Sequence, residues 1–442
     1  MLKAQVSELI KLVSALQEEI RLLRNGKNSG TSNTPPSHQI GRSNTQNFRV
    51  KTNRKSGGQS GHEGNTLKIK EYPDKTIDYI PRYCNDCGFD LGQAAAILKG
   101  SRQEVVIPPV QALYVDHRCY SKVCAHCGKV CIGAMPDHLK GPIQYSAGVE
   151  VLVSYLSVYQ HIPYCRITVL LKDLFGLPIS EGTVDNMLKR MAQKALPLYD
   201  TIQKRVQQSH VVGSDETGSR FGGKKGWFHV WQTTSLTFIV ASLNRGYQTI
   251  KEYFADGFPL TVYVSDCWAA QLKVAALAHQ LCIAHLLREL RNFEDALACK
   301  WSSAMKQLLQ DAIVLKKQMQ PQDYLGPIDP VIKLEQRLSQ LLLTDHRTSH
   351  KKVQAFAKRL KKNRNSIFTF LHHAKVPPDN NGSERAVRTV KVKTKVSGSF
   401  RTKKGATRFA IIRSVIDTTI KNTNNVFEAL TLLTNLNLNP EW

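Results

Sequence analysis

The chain has 442 residues, of which 22% are charged, and a formal net charge of +26. That length exceeds one ordinary hydrophobic core, so several domains are expected, and the charge favours a polyanionic partner, nucleic acid first. No run of about 18 apolar residues occurs and the first residues lack a signal-peptide pattern, which argues against a membrane partner and for a cytoplasmic, nucleoid-associated protein whose cysteines stay reduced.

Residues 1–25 carry Leu2, Leu9, Leu16 and Leu23 in one seven-residue row, and Val6, Val13 and Ile20 in another. β-Branched residues at a with Leu at d predict a parallel two-stranded coiled coil, hence a homodimer or a higher assembly. An amphipathic helix packed on its own chain is the plainer alternative. Residues 26–65 include "RKSGGQSGHEG" and bury too little to offset ordering entropy, which predicts a flexible basic linker.

Residues 66–140 hold Cys84-x-x-Cys87 and Cys124-x-x-Cys127. Four thiolates close a tetrahedral structural zinc site, so a β-rich zinc-binding module is expected. A Gly follows each second Cys, as a turn with positive φ requires. Cys119 and Cys131 flank the second pair and stand as spare thiols or alternative ligands.

Residues 141–207 read as helical. "CRITVLLKDLFG" ends at Gly176 and Ser180 caps "EGTVDNMLKRM", a pair that fits either a helix-turn-helix or plain packing. From residue 208 the pattern turns to strands. "HVVGSDETG", "GWFHVWQTT" and "LTFIVASLN" are spaced as consecutive antiparallel strands, and "LTVYVSDC" follows a crossover helix, "YQTIKEYFADG". An α/β sheet is predicted, with "HQLCIAHLLRELRNFEDAL" as a helix after it. Residues 295–375 read as a helical insertion, and 376–442 as a last, basic helical region.

Three acids stand out. Asp215 and Asp266 each end a β-branched run, and acids at the ends of neighbouring strands can meet at one sheet edge. Glu384 lies between His346 and Lys421, a stretch with 20 Lys or Arg and three acids. Three hard oxygen ligands on three elements suit Mg²⁺, with Mn²⁺ as a substitute, and two such ions can serve phosphoryl chemistry. The structural alternatives are a turn residue at Asp215, an N-cap at Asp266 for "CWAAQLKVAALA", and a capping box between Asn381 and Glu384.

In order along the chain, "SNTPPS", "GGQSGHEG", "CNDCG", "CAHCG", "SDETG", "GWFHVWQTT", "YVSDCWAA", "CIAHLLREL" and "DNNGSERAVR" resemble the transposases of the insertion sequence 66 family. That resemblance implies an α/β multidomain protein: coiled coil, zinc module, helical domain, and a ribonuclease H-like core with an α-helical insertion. It implies catalytic, Mg²⁺-holding roles for Asp215, Asp266 and Glu384, DNA cleavage at element ends, and strand transfer into target DNA. Arg385, Arg388, Lys391, Lys393 and Lys395 are the expected phosphate contacts, and Cys282 and His285, which share a helix face, the expected site support. Cys267-Trp268 stands where the family usually has Gly-Tyr. Accessory proteins of the same element are further expected partners. The competing readings are an inactive zinc-containing DNA-binding derivative and a ribonuclease H-like nuclease without strand transfer.

Overall fold

The computed structural model describes residues 67–108 and 110–435, together with Glu8, Val13, Ser14, Leu16 and Gln17, which are helical. The rest of the expected coiled coil and all of the linker lie outside the described residues. The chain divides into two compact units, residues 46–111 and the remainder, so the boundary falls inside the stretch expected as one zinc module.

The smaller unit carries the first cysteine knuckle. Cys84 N–H donates to the Phe89 carbonyl at 2.9 Å, and Gly88 N–H donates back to the Cys84 carbonyl at 2.9 Å. Gly88 has φ +73°, a backbone conformation that side chains with a Cβ rarely adopt. In the larger unit the second knuckle sits in a ribbon of β1 (Ser121–Val123) and β2 (Val130–Ile132). It repeats the same bonds, Cys124 N–H to Lys129 O and Gly128 N–H to Cys124 O, both at 2.8 Å, with Gly128 at φ +72°.

Residues 147–207 hold three α-helices. They are α1 (Ala147–Ser154), α2 (Tyr164–Phe175) and α3 (Glu181–Gln207). Gly176 ends α2 in the left-handed conformation, and the Ser180 side chain accepts from Thr183 N–H to cap α3. In α3, Val184, Met187, Leu188, Met191, Ala195, Ile202 and Val206 recur at helical spacing and are all buried. Each large one contributes about 1.5–3 kcal/mol through burial.

The sheet has five strands in the order β5-β4-β3-β6-β7: β3 (Val211–Phe221), β4 (Lys224–Gln232), β5 (Thr237–Ser242), β6 (Phe258–Ser265) and β7 (Ala276–Leu281). The first three are antiparallel, and β6 and β7 join in parallel. The helix α4 (Tyr247–Tyr253) makes the crossover to β6. β7 corrects the sequence reading, which ran "HQLC" into the following helix. Its residues are mostly half-buried, so the strand owes its existence to pairing with β6 rather than to local pattern.

The remaining elements are α5 (Ile283–Leu297), α6 (Lys300–Gln318), α7 (Asp329–Leu343), α8 (Lys351–Lys362), α9 (Thr369–His372), α10 (Asn381–Ser397), α11 (Lys403–Lys421) and α12 (Val426–Asn435). Two hydrophobic cores result. One joins β3, β4 and β5 to α1, α3, α11 and α12, and the other joins β6 and β7 to α5 and the insertion helices. No helix among the described residues is long and apolar enough to cross a membrane.

Candidate active site

Parallel pairing of β3 with β6 ends at Gly213 opposite Val264. Asp215 and Asp266 each lie two residues beyond that pair, so the register sets them side by side where the parallel pairing stops, Asp215 within β3 and Asp266 just past the end of β6. Neither structural alternative holds. Asp215 is inside β3 and accepts from the Glu216 N–H at 2.8 Å. Asp266 accepts from Trp268 N–H at 3.0 Å, and the segment after it forms only a 3₁₀ turn, Gln271–Lys273, not a helix.

Glu384 reaches the same edge because α10 starts against β3. Asn380 precedes the helix, and its amide Nδ2 donates to the Ser214 carbonyl at 2.6 Å. Ser383 Oγ donates to Asn380 Oδ1 at 2.6 Å. A glycine is required opposite: a Cβ on Gly213 would stand 2.6 Å from Asn380 Oδ1 and from Gln232 Nε2, and 2.7 Å from Ser383 Oγ. The glycine of "GSDETG" and the Asn of "NNGSER" are thus two halves of one contact. The capping box with Asn381 is absent, since Asn381 is already inside the helix. The Glu384 carboxylate turns instead to Arg288, whose Nη2 donates to Oε1 at 2.8 Å, and His285 Nε2 lies 3.8 Å from the same oxygen.

The site is crowded with negative charge. Burial first, then the charges of Glu216, Asp266 and Glu384, hold the Asp215 carboxyl well above the usual carboxylate range. Burial and the Glu216 charge raise Asp266 to about 6, against the opposing pull of Trp268 N–H, Arg245 and Arg359. Carboxylates so placed are relieved by a divalent cation, and a donor set of three carboxylates fits hard Mg²⁺ or Mn²⁺.

Several contributors were not foreseen. Glu216, with its side chain 2% exposed, accepts from Arg245 Nε and Nη2 at 2.9 and 2.8 Å and from Gln271 Nε2 at 3.0 Å. The Arg245 guanidinium lies between the rings of Trp227 and Trp268, 4.7 and 3.9 Å from their centres. Trp268 in this chain therefore packs on a cation two residues beyond Asp266. Arg288 carried one signal: it follows His285 by three residues on the same helix. Glu289, one of three acids of α5, is held by Arg359 of α8 with both oxygens at 2.8 Å.

The expected phosphate contacts separate into two groups. Arg385, Arg388 and Lys395 are exposed along one face of α10. Lys391 is half-buried and donates to the Gly218 carbonyl at 3.0 Å. Lys393 is a correction: it is buried, its ammonium donates to the carbonyls of Ser157 and Ile162 at 2.9 and 3.3 Å, and burial lowers its pKa to about 8. Its amine works as an internal bond donor between α10 and the turn after α1, with no surface left for DNA.

Each knuckle presents two thiols, and the backbone N–H groups of Cys87 and Asp86, then the Cys87 side chain, hold the Cys84 thiol below its ordinary pKa. Cys127 and His126 N–H groups, then the Cys127 side chain, do the same for Cys124. A family model described as "Transposase IS66 family" matches residues 142–408. No curated protein matches the chain.

Proposed function

The chain belongs to the IS66 transposase family, and on that premise we propose that it cleaves DNA at the ends of its element and joins them to target DNA, with Asp215, Asp266 and Glu384 as the catalytic carboxylates. The family supports a transposase that binds DNA and depends on divalent metal. The observation that carries the finer reading is the docking of Asn380 on Ser214, which brings Glu384 to the edge where Asp215 and Asp266 lie in register. The sheet order, three antiparallel strands followed by two parallel ones, supports a ribonuclease H-like core.

Two Mg²⁺ ions held by these carboxylates would activate the attacking oxygen and stabilise the leaving one. The protein's own residues orient the carboxylates, keep them apart from bulk water and bind the DNA. Arg385, Arg388 and Lys395 neutralise phosphates along α10, and Asn380 and Gly213 fix Glu384. Arg245 and Gln271 hold Glu216 so that its charge is matched beside Asp215. The two C-x-x-C motifs of the sequence support a structural zinc on Cys84, Cys87, Cys124 and Cys127.

The deciding experiment is Glu384→Gln on the full chain, assayed with the element's own end DNA and Mg²⁺. Gln keeps size and hydrogen-bonding reach but lacks the charge that Mg²⁺ requires. Cleavage and strand transfer should fall on the order of 10³-fold or more, beyond the loss of a single preorganised contact. DNA affinity should hold or rise slightly. Substantial cleavage by a folded, DNA-binding variant would remove Glu384 from the catalytic set. Nicked but unjoined product from the wild type would favour a plain nuclease, and binding alone an inactive derivative.

A further inference from the structure

A second donor set shares only Glu384 with the carboxylate site. Cys282 Sγ, a His285 ring nitrogen and a Glu384 carboxylate oxygen all lie within 4.8 Å of one another. Cys282 precedes α5 and His285 is its third residue, so one helical turn brings thiol and imidazole to one side. The Asn380 N–H that donates to Cys282 Sγ at 3.2 Å belongs to the residue that starts α10, which ties the thiol to the helix carrying Glu384.

Two further observations point to a ligand. His285 Nδ1 is buried and makes no hydrogen bond among the described residues, and such an orphaned atom is costly unless something occupies it. Glu384 Oε1 is bonded to Arg288, but Oε2 is 3.9 Å from Arg388, beyond hydrogen-bond reach.

We propose that Cys282, His285 and Glu384 form a binding site for a thiophilic divalent cation of the Zn²⁺ class, and that its occupancy withdraws Glu384 from Mg²⁺. Sulfur, imidazole and carboxylate together are a zinc donor set, whereas Mg²⁺ takes oxygen ligands almost alone. Tetrahedral zinc sets such donors roughly 3.3–3.8 Å apart, so a side-chain adjustment of about 1 Å closes the site. On binding, the Cys282 thiol proton passes to solvent as the sulfur–metal bond forms, and no electron is transferred. Three protein ligands leave a fourth position for water. The site itself stands on geometry; the competition with Mg²⁺ rests on Glu384 being a Mg²⁺ ligand.

The test uses the full chain stripped of metal and titrated with Co²⁺, each spectrum being read as the difference from Cys282→Ala titrated alongside, so that the other thiol sites cancel. A thiolate-to-cobalt charge-transfer band should grow to about one ion per chain. Cys282→Ser should abolish the band, and His285→Gln should weaken cobalt binding on the order of 10-fold or more. A wild-type band that never appears, or one that persists in Cys282→Ser, overturns the site. If Cys282→Ser melts early, His285→Gln decides alone, and unchanged cobalt affinity in that variant overturns it. In a second arm, Zn²⁺ is added to the Mg²⁺ cleavage reaction and each variant is scored against its own zinc-free rate. Inhibition relieved by excess Mg²⁺ in the wild type and absent in His285→Gln supports the shared ligand. Cobalt binding without such competition overturns that half and leaves the site, whereas a zinc-free wild type with no cleavage would fail the transposase reading instead.

Discussion

At Cys84 the chain closes on itself within one turn, and the backbone bonds that shape the knuckle lie between Arg82 and Leu91. At Asp215 nothing is local. Its neighbourhood depends on a strand register with β6 and on an Asn380 amide that reaches Ser214 across 166 residues of sequence. The electrostatics differ in the same sense. Backbone N–H groups close by lower the Cys84 thiol toward its metal-binding form, whereas burial by the whole core raises Asp215 and Asp266 away from theirs. A local turn can prepare ligands one at a time. A long-range cluster prepares them only together, and leaves them strained by repulsion until a cation arrives.

Two glycines sharpen the contrast. Gly213→Ala would force a Cβ into Asn380, Gln232 and Ser383, and should destabilise the core by about 1–3 kcal/mol as overpacking does, while displacing Glu384 enough to lose cleavage on the order of 10²-fold. Gly88→Ala meets no atom within 4 Å and is strained only through its positive φ, at about 1–2 kcal/mol. Thermal melts should show the first lowering the core transition and the second leaving it in place. Equal shifts would mean that the two regions are not built differently.

The acids give the next largest effect. Asp266 is raised from 3.8 to about 6, so the folded state holds that proton more tightly than the unfolded state. Stability of the metal-free protein should therefore decline as pH rises from about 3.8 to about 6 through Asp266, with Asp215, raised in the same direction, adding to the decline. Asp266→Asn should flatten this slope by on the order of 2–3 kcal/mol, and saturating Mg²⁺ should restore stability at neutral pH in the wild type alone. Any slope that remains in Asp266→Asn belongs to Asp215, which is raised as well, and a slope unchanged from the wild type removes Asp266 from the account. At the knuckles, Cys84→Ser with Cys127→Ser should lower zinc by elemental analysis without altering that pH slope.

The smallest effects belong to α10. Arg388→Ala and Lys395→Ala should each reduce the slope of log affinity against log salt for DNA by about 1. Lys393→Ala should leave that slope alone and lower stability instead, by about 1–3 kcal/mol, because two buried carbonyls lose their donor. Fluorescence titrations at several salt concentrations, paired with melts, separate the two classes.

What the sequence disclosed follows the same division. The knuckles, the cap at Ser180 and the left-handed Gly176 were legible because their geometry is set within a few residues. Asp215 and Asp266 were legible as ends of β-branched runs, and Glu384 as an acid in a basic stretch and by family likeness. The strand β7 was not, because an edge strand of mixed polarity gains its identity from its neighbour β6. Lys393 was misjudged because a Lys in a basic helix looks exposed until its side of the helix is known. Glu216 and Arg245 were missed because the pair forms only once β3 and the turn after β5 are assembled.

The insertion between the second and third acids enters through α5 and returns beside its own start. Gln280 accepts from Phe370 N–H at 2.8 Å and donates to the Ile367 carbonyl at 3.0 Å, and Ile283 N–H meets the Pro378 carbonyl at 2.9 Å. The segment is therefore a closed loop stitched at its neck, and the neck, not the loop, fixes where Glu384 emerges. The entropy of closing a loop grows only slowly with its length, so the length of chain beyond Gln280 and Ile283 bears less on where Glu384 emerges than the neck does. The spacing between Asp266 and Glu384 in the sequence thus carries little information about their separation in space.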